Sequence, residues 1–77
     1  MPERVLHFVA EQLVDHPDDV SVTAVEEDEH LMTLELRVHP DDLGKVIGKR
    51  GRTAKALRTL VKATVEGDQN VNVEIVD

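Results

Sequence analysis

The stretch Gly44-Lys45-Val46-Ile47-Gly48-Lys49-Arg50-Gly51-Arg52-Thr53-Ala54-Lys55-Ala56-Leu57-Arg58 gathers positive charge around three glycines in a chain that is acidic as a whole. Seven of the nine Lys and Arg lie between positions 45 and 62, and no Asp or Glu falls in that window. All sixteen acids stand outside it, against only Arg4 and Arg37. The formal charge of −7 is therefore a local excess of seven positive charges set against fourteen negative ones. Such a chain repels a polyanion everywhere except at one place.

The pattern inside the window predicts two helices meeting at a tight corner. Pro40-Asp41-Asp42 opens the first, with proline at the first position and acids near the positive end of the helix dipole. This helix carries Leu43, Val46 and Ile47 and stops at Gly48. The second runs over residues 52–65, with Ala54, Leu57, Leu60, Val61 and Thr64 on its core stripe, and Gly67 is placed as its C-terminal cap. Gly48-Lys49-Arg50-Gly51 joins the two with almost no linker. The corner needs backbone angles that residues with a Cβ adopt poorly, which accounts for one glycine. Gly51 sits where the next helix begins, so a sugar-phosphate backbone can approach the helix's N–H groups and partial positive charge. Lys49 and Arg50 project from the turn, and Arg52, Lys55, Arg58 and Lys62 extend the field along the helix. The arrangement is an anion site shaped for an extended chain.

Working outward, residues 2–15 read as a helix, with Pro2 in the first turn and Leu6, Val9 and Leu13, flanked by Val5, Phe8 and Gln12, at three-and-four spacing. His16-Pro17 ends it. Val20, Val22 and Ala24 alternate with Ser21, Thr23 and Val25, a half-buried strand. Glu26-Glu27-Asp28-Glu29 is a solvated hairpin connection. Met32, Leu34, Leu36 and Val38 then alternate with Thr33, Glu35 and Arg37, which predicts a sheet covered on one face. Val71, Val73 and Ile75 give a last strand. The order is helix, strand, strand, helix, helix, strand, a two-layer α+β domain with one antiparallel hairpin and one parallel crossover. His-Pro-Asp-Asp occurs at 16–19 and again at 39–42; it reads as shared boundary chemistry rather than an internal repeat.

Several function classes are excluded. The chain has no cysteine, hence no disulfide and no thiolate ligand or nucleophile. Its 77 residues fit one domain over 1–77, and no uncharged stretch is long enough for a signal peptide or membrane span, so a cytoplasmic protein is expected. A phosphate-binding P-loop fails on spacing, on the missing hydroxyl and on its position after a helix. Phe8 is the only aromatic residue, so no stacking platform for bases exists. Glu3, His7 and Glu11 share a helical face that reads as solvated rather than as a metal site. His16, His30 and His39 read as boundary residues, and the single serine, Ser21, lies in a strand without an acid–base partner. No enzyme, cofactor or small-molecule substrate is expected.

Val46-Ile47-Gly48-Lys49-Arg50-Gly51 followed by Arg52-Thr53-Ala54-Lys55-Ala56-Leu57 resembles the signature of the KH domain, whose GXXG loop clamps about four nucleotides of single strand. The order of elements is similar to the type II KH arrangement and fills the chain, as in the small stand-alone bacterial KH proteins of the KhpA family. The resemblance implies a single-stranded RNA-binding protein, a chaperone or adaptor for small RNAs and mRNAs. It implies a groove with residues 48–51 as its rim, Lys45, Arg52 and Lys55 beside it, Ile47, Ala54 and Leu57 on its floor, and a far wall at Val71 to Val73. Glu66, Asp68 and Glu74 near that wall would restrict binding. It also implies a homodimer, or a heterodimer with a larger KH-containing RNA-binding protein, with the small residues Ala56, Thr59 and Ala63 at the interface. The alternative is a protein-interaction module whose basic helix docks an acidic partner.

Overall fold

The computed structural model describes residues 2–65, 67 and 69–76. The elements are α1 (Pro2–Leu13), β1 (Ser21–Asp28), β2 (Leu31–Arg37), α2 (Leu43–Ile47), α3 (Arg52–Lys62) and β3 (Asn70–Val76). Single 3₁₀ turns at Pro17–Asp19, Pro40–Asp42 and Lys49–Gly51 link them. The strands lie in the order β1-β2-β3. β1 and β2 form the expected antiparallel hairpin, and β3 returns parallel to β2 from Leu31↔Asn70 to Arg37↔Val76. Three helices thus cover one face of a mixed three-stranded sheet, as the order of elements predicted.

The core is the meeting of that face with one stripe from each helix: Leu6 and Ala10 of α1, Val46 of α2, Leu57 and Val61 of α3, and Val20, Leu34, Leu36, Val71 and Val73 from the sheet side. Three assignments from periodicity are corrected: Phe8, Leu60 and also Leu13, which ends α1 and is exposed. Phe8 is 63% exposed, because the buried line of α1 runs through Leu6 and Ala10 and Phe8 stands about opposite at 3.6 residues per turn. Leu60 is 40% exposed because it lies on the flank of α3, about 60–100° round the helix from Leu57 and Val61, which with Ala54 carry the buried line.

The sheet departs from strict alternation at its edge and centre. Ala24 shares the covered face with its partner Leu34 yet is exposed, because β1 is an edge strand and a methyl group does not reach the helices. Thr33, on the open face, is buried between its ladder partners Val25 and Asn72. β1 also runs through Glu26 and Glu27 to Asp28, with a register shift between Glu26 and Asp28, so the hairpin connection is shorter than its acidic run suggested.

Helix ends differ as well. α1 stops at Leu13, before Asp15, and the His16 backbone N–H donates to the Asp42 carboxylate (2.9 Å) rather than to a helical carbonyl. α3 stops at Lys62 with Ala63 as its C-cap. Gly67 has φ +72° but lies beyond that end, in the turn toward β3, and is not the cap. Glu66 and Asp68 lie outside the described residues.

Candidate nucleic-acid interface

The corner between α2 and α3 is built by three positive-φ backbone conformations within four residues. Gly48 takes φ 76°, ψ 172°; Arg50 takes φ 59°, ψ 26°; Gly51 takes φ 74°, ψ 14°. Both glycines are thus explained by backbone angle, where sequence reasoning gave that role to one. Gly48 has a second reason: a Cβ there would stand 2.2 Å from Thr53 Oγ1 and 2.8 Å from the Thr53 backbone nitrogen. At Gly51 a Cβ would meet nothing within 4 Å, so this glycine leaves open space over the start of α3.

The turn is closed by its own backbone. Gly48 N–H donates to Gly44 O (2.8 Å), Gly51 N–H to Gly48 O (3.1 Å) and Arg52 N–H to Lys49 O. The amides of Gly51 and Arg52, at the very start of α3, are therefore spent on the turn. Lys49 and Arg50 are exposed at the apex, Arg50 being the one non-glycine residue with positive φ among the described residues. Arg52 and Lys55 are exposed on the following turn.

Farther along α3, Lys55, Arg58 and Lys62 recur at three-and-four spacing and share one flank. That flank faces β3: Arg58 Nε donates to Val73 O (3.3 Å), and Lys62 lines a polar hollow with Gln69, Asn70 and Asn72. The far wall expected at Val71 to Val73 is thus beside the basic flank, although the side chains of both valines point into the core. Of the expected floor, only Ile47 is exposed, whereas Ala54 and Leu57 are buried beneath it. Lys45 points elsewhere and pairs with Asp15, at the end of the segment following α1. Glu74 is exposed on β3.

Behind α2 lies a cluster whose members read, in the linear chain, only as residues at element ends. Asp42 is 1% exposed, and its Oδ2 accepts from both the backbone N–H and the ring Nδ1–H of His16, each at 2.9 Å. The ring of His39 stacks on that of His16 with centroids 4.0 Å apart. The two His-Pro-Asp-Asp segments each form one 3₁₀ turn and meet here, the first supplying His16 and the second His39 and Asp42. Only spatial contact, which a sequence does not display, links them. His7 is likewise engaged, with Nε2 3.2 Å from Val20 O and Nδ1 3.2 Å from Glu11, and no metal-binding group of side chains is present among the described residues. No helix among them is long and apolar enough to cross a membrane.

A helix pair joined by a Gly-Lys-Arg-Gly corner, set on a mixed sheet in the order α-β-β-α-α-β, defines a KH domain of the type II arrangement. A family model for the KH domain of KhpA and KhpB matches residues 3–76, and the chain belongs to this family. It is 51% identical to "RNA-binding protein KhpA" of Halalkalibacterium halodurans, over 95% of this chain and 96% of that one. It is 52% identical to the protein of the same name from Streptomyces coelicolor, over 100% and 94% of the two chains. With that of Bacillus subtilis it shares 49% identity over the same fractions. These relatives are named for binding, not for catalysis. Among solved structures, a crystal structure of Aquifex aeolicus Era matches with TM-score 0.69 and 18% identity, over 97% of this chain and 30% of that one, a likeness of fold alone.

Proposed function

We propose that the chain binds single-stranded RNA, holding about four nucleotides along the rim made by residues 48–51. The observation that carries this reading is the corner itself: two glycines with positive φ present Lys49 and Arg50 to solvent at the centre of an acid-free window. Arg52 and Lys55 extend the phosphate-binding field, and Ile47 offers the exposed apolar contact for a base. Ala54 supports the floor from below. Lys45 lies in the same basic window, but its charge is offset by the pairing with Asp15 and it is not counted among the phosphate contacts. In the cell this activity suits a cytoplasmic chaperone or adaptor for small RNAs and mRNAs. The test is fluorescence polarisation of the purified protein with a short labelled RNA. If ~3–4 phosphates are neutralised, a slope of ~0.7 per phosphate predicts roughly 20–50-fold weaker binding at 200 than at 50 mM salt. A flat response would overturn the phosphate-rim reading.

The same reading includes a dimer, with itself or with a larger KH-containing RNA-binding protein, through the outer face of α3. Ala56, Thr59, Leu60 and Ala63 line a shallow apolar hollow there, rimmed by Arg52 and Lys55. The small side chains allow close backbone approach, and Leu60, freed from the core, supplies the area to bury. Two weak grooves on one assembly also gain from effective concentration. Sedimentation across a concentration series should show self-association in the wild type and its loss on Ala56→Glu with Ala63→Glu. A wild type that stays monomeric refutes the homodimer; a variant that still associates refutes this face.

A further inference from the structure

α2 is only five residues long and buries a single side chain, Val46, with Leu43 packed partly against the core. Something else must fix its direction, because Gly48 and the loop follow directly from its last residue. Two side chains at its start and middle grip the segment after α1: Asp42 holds His16, and Lys45 pairs with Asp15. We propose that His16 and Asp42 are positioning residues for RNA binding, a latch whose proton on His16 holds α2 and the first glycine of the loop in the binding-competent orientation, so that RNA affinity depends on pH. The proposal rests on the loop being the RNA site.

The chemistry of the pair supports a proton-dependent latch. The Asp42 carboxylate is enclosed, and its Oδ1 has no hydrogen-bond partner among the described residues. An enclosed carboxylate depends on its counter-charge. The groups facing the pair are Asp15, Asp19 and Asp41, the Lys45 ammonium and the His39 ring. His39 Nδ1 accepts the Asp41 backbone N–H (3.0 Å), and among the described residues the His39 ring makes no hydrogen bond to Asp42. Of the two stacked rings, His16 alone holds Asp42. The hydrogen bond to Asp42 raises the His16 pKa above its ordinary 6.5, burial opposes this, and the charges of Asp42, Asp19 and Asp41 add to the rise. Burial pushes the Asp42 carboxyl up, but the hydrogen bonds from the His16 ring and backbone amide, with the nearby Asp15 amide and the His16 charge, outweigh it and leave the pKa below 3.8.

The signs follow from linkage. A raised His16 pKa gives a contribution fully present below 6.5 and lost as pH rises through the folded-state value. A lowered Asp42 pKa gives a contribution present above 3.8 and lost as pH falls through its folded-state value. The latch is closed between these limits and weakens on the alkaline side, where the imidazolium–carboxylate ion pair is reduced to a hydrogen bond from a neutral ring to the carboxylate. A reduced fraction of competent protein lowers apparent affinity in proportion.

The test measures polarisation of a labelled oligouridine at constant salt. Between about pH 6 and pH 8.5 the wild type should weaken about threefold, the range in which a histidine titrates. His16→Gln should be flat and stay at the weaker level, while His30→Gln, at the far hairpin, should keep the wild-type slope. The backbone amide resonances of Gly48 and Thr53 should shift with the same midpoint as the His16 ring, which a purely structural role would not produce. Asp42→Asn, checked for folding by circular dichroism, should be flat as well; if it does not fold, His16→Gln decides. A pH-independent wild type, or a His16→Gln variant with the wild-type slope, overturns the latch. RNA affinity untouched by the double substitution Lys49→Asp and Arg50→Asp would instead remove the loop as the site, a distinct failure.

Discussion

Replacing Lys49 and Arg50 together by Asp is expected to weaken RNA binding by at least about 100-fold while leaving the protein folded. The loss follows from removing two charge-assisted phosphate contacts, each worth about 1.5–3 kcal/mol, and setting carboxylates in their place. The fold should be indifferent because both side chains are exposed at the apex and belong to no described ion pair. Position 50 adopts a left-handed conformation, which aspartate tolerates better than most residues, so the change adds no backbone strain there. Reversal also relieves repulsion within a window that holds seven cations and no acid. The measurements are polarisation with a short single-stranded RNA and a thermal melt followed by circular dichroism. Wild-type affinity in the folded double variant would show that the RNA lies elsewhere.

The two glycines of the corner should respond unequally to alanine. Gly48→Ala is expected to be strongly destabilising, and Gly51→Ala mild. At Gly48, φ 76° with ψ 172° is a region that only glycine occupies readily, a cost of order 1–3 kcal/mol for any side chain. The new methyl would also strike Thr53, including its backbone nitrogen at 2.8 Å, which cannot move without displacing the first turn of α3. Against a total stability of ~5–15 kcal/mol, and less in so short a chain, such a combination threatens the fold. At Gly51 the conformation is ordinary left-handed and the space is open, so alanine costs only about 1–2 kcal/mol and asparagine less. Chemical denaturation of the three variants checks this ranking. An RNA defect in folded Gly51→Ala that exceeds its stability loss would mark the open space above Gly51 as the place where the nucleotide backbone passes. Equal stability of the Gly48 and Gly51 alanine variants would refute the contact with Thr53.

Much of this protein is legible in its sequence because two signals are local and strong. Charge is a property of composition, so the acid-free window and its Lys49–Arg50 apex stand out in any linear reading. Hydrophobic periodicity of two and of about 3.6 residues gives element type directly, and the short connections leave few topologies, so the mixed sheet and its three covering helices follow.

The remainder depended on which surfaces meet. Whether Phe8 and Leu60 belong to the core is a question of helix rotation, and apolar neighbours on both sides of the stripe leave that rotation undetermined until the sheet selects one face. Strand position decided the exposure of Ala24 and the burial of Thr33, since one lies at an edge and the other at the centre. The second reason for Gly48, its contact with Thr53, arises only once the corner is closed. The meeting of His16 with Asp42 spans 26 residues and joins two boundary segments that look unremarkable alone. Sequence alone determined where the positive charge sits and which elements carry it; tertiary structure decided which cations remain free and what holds the loop in place, because buried hydrogen bonds such as that of Asp42 are made between distant segments and leave no periodic trace.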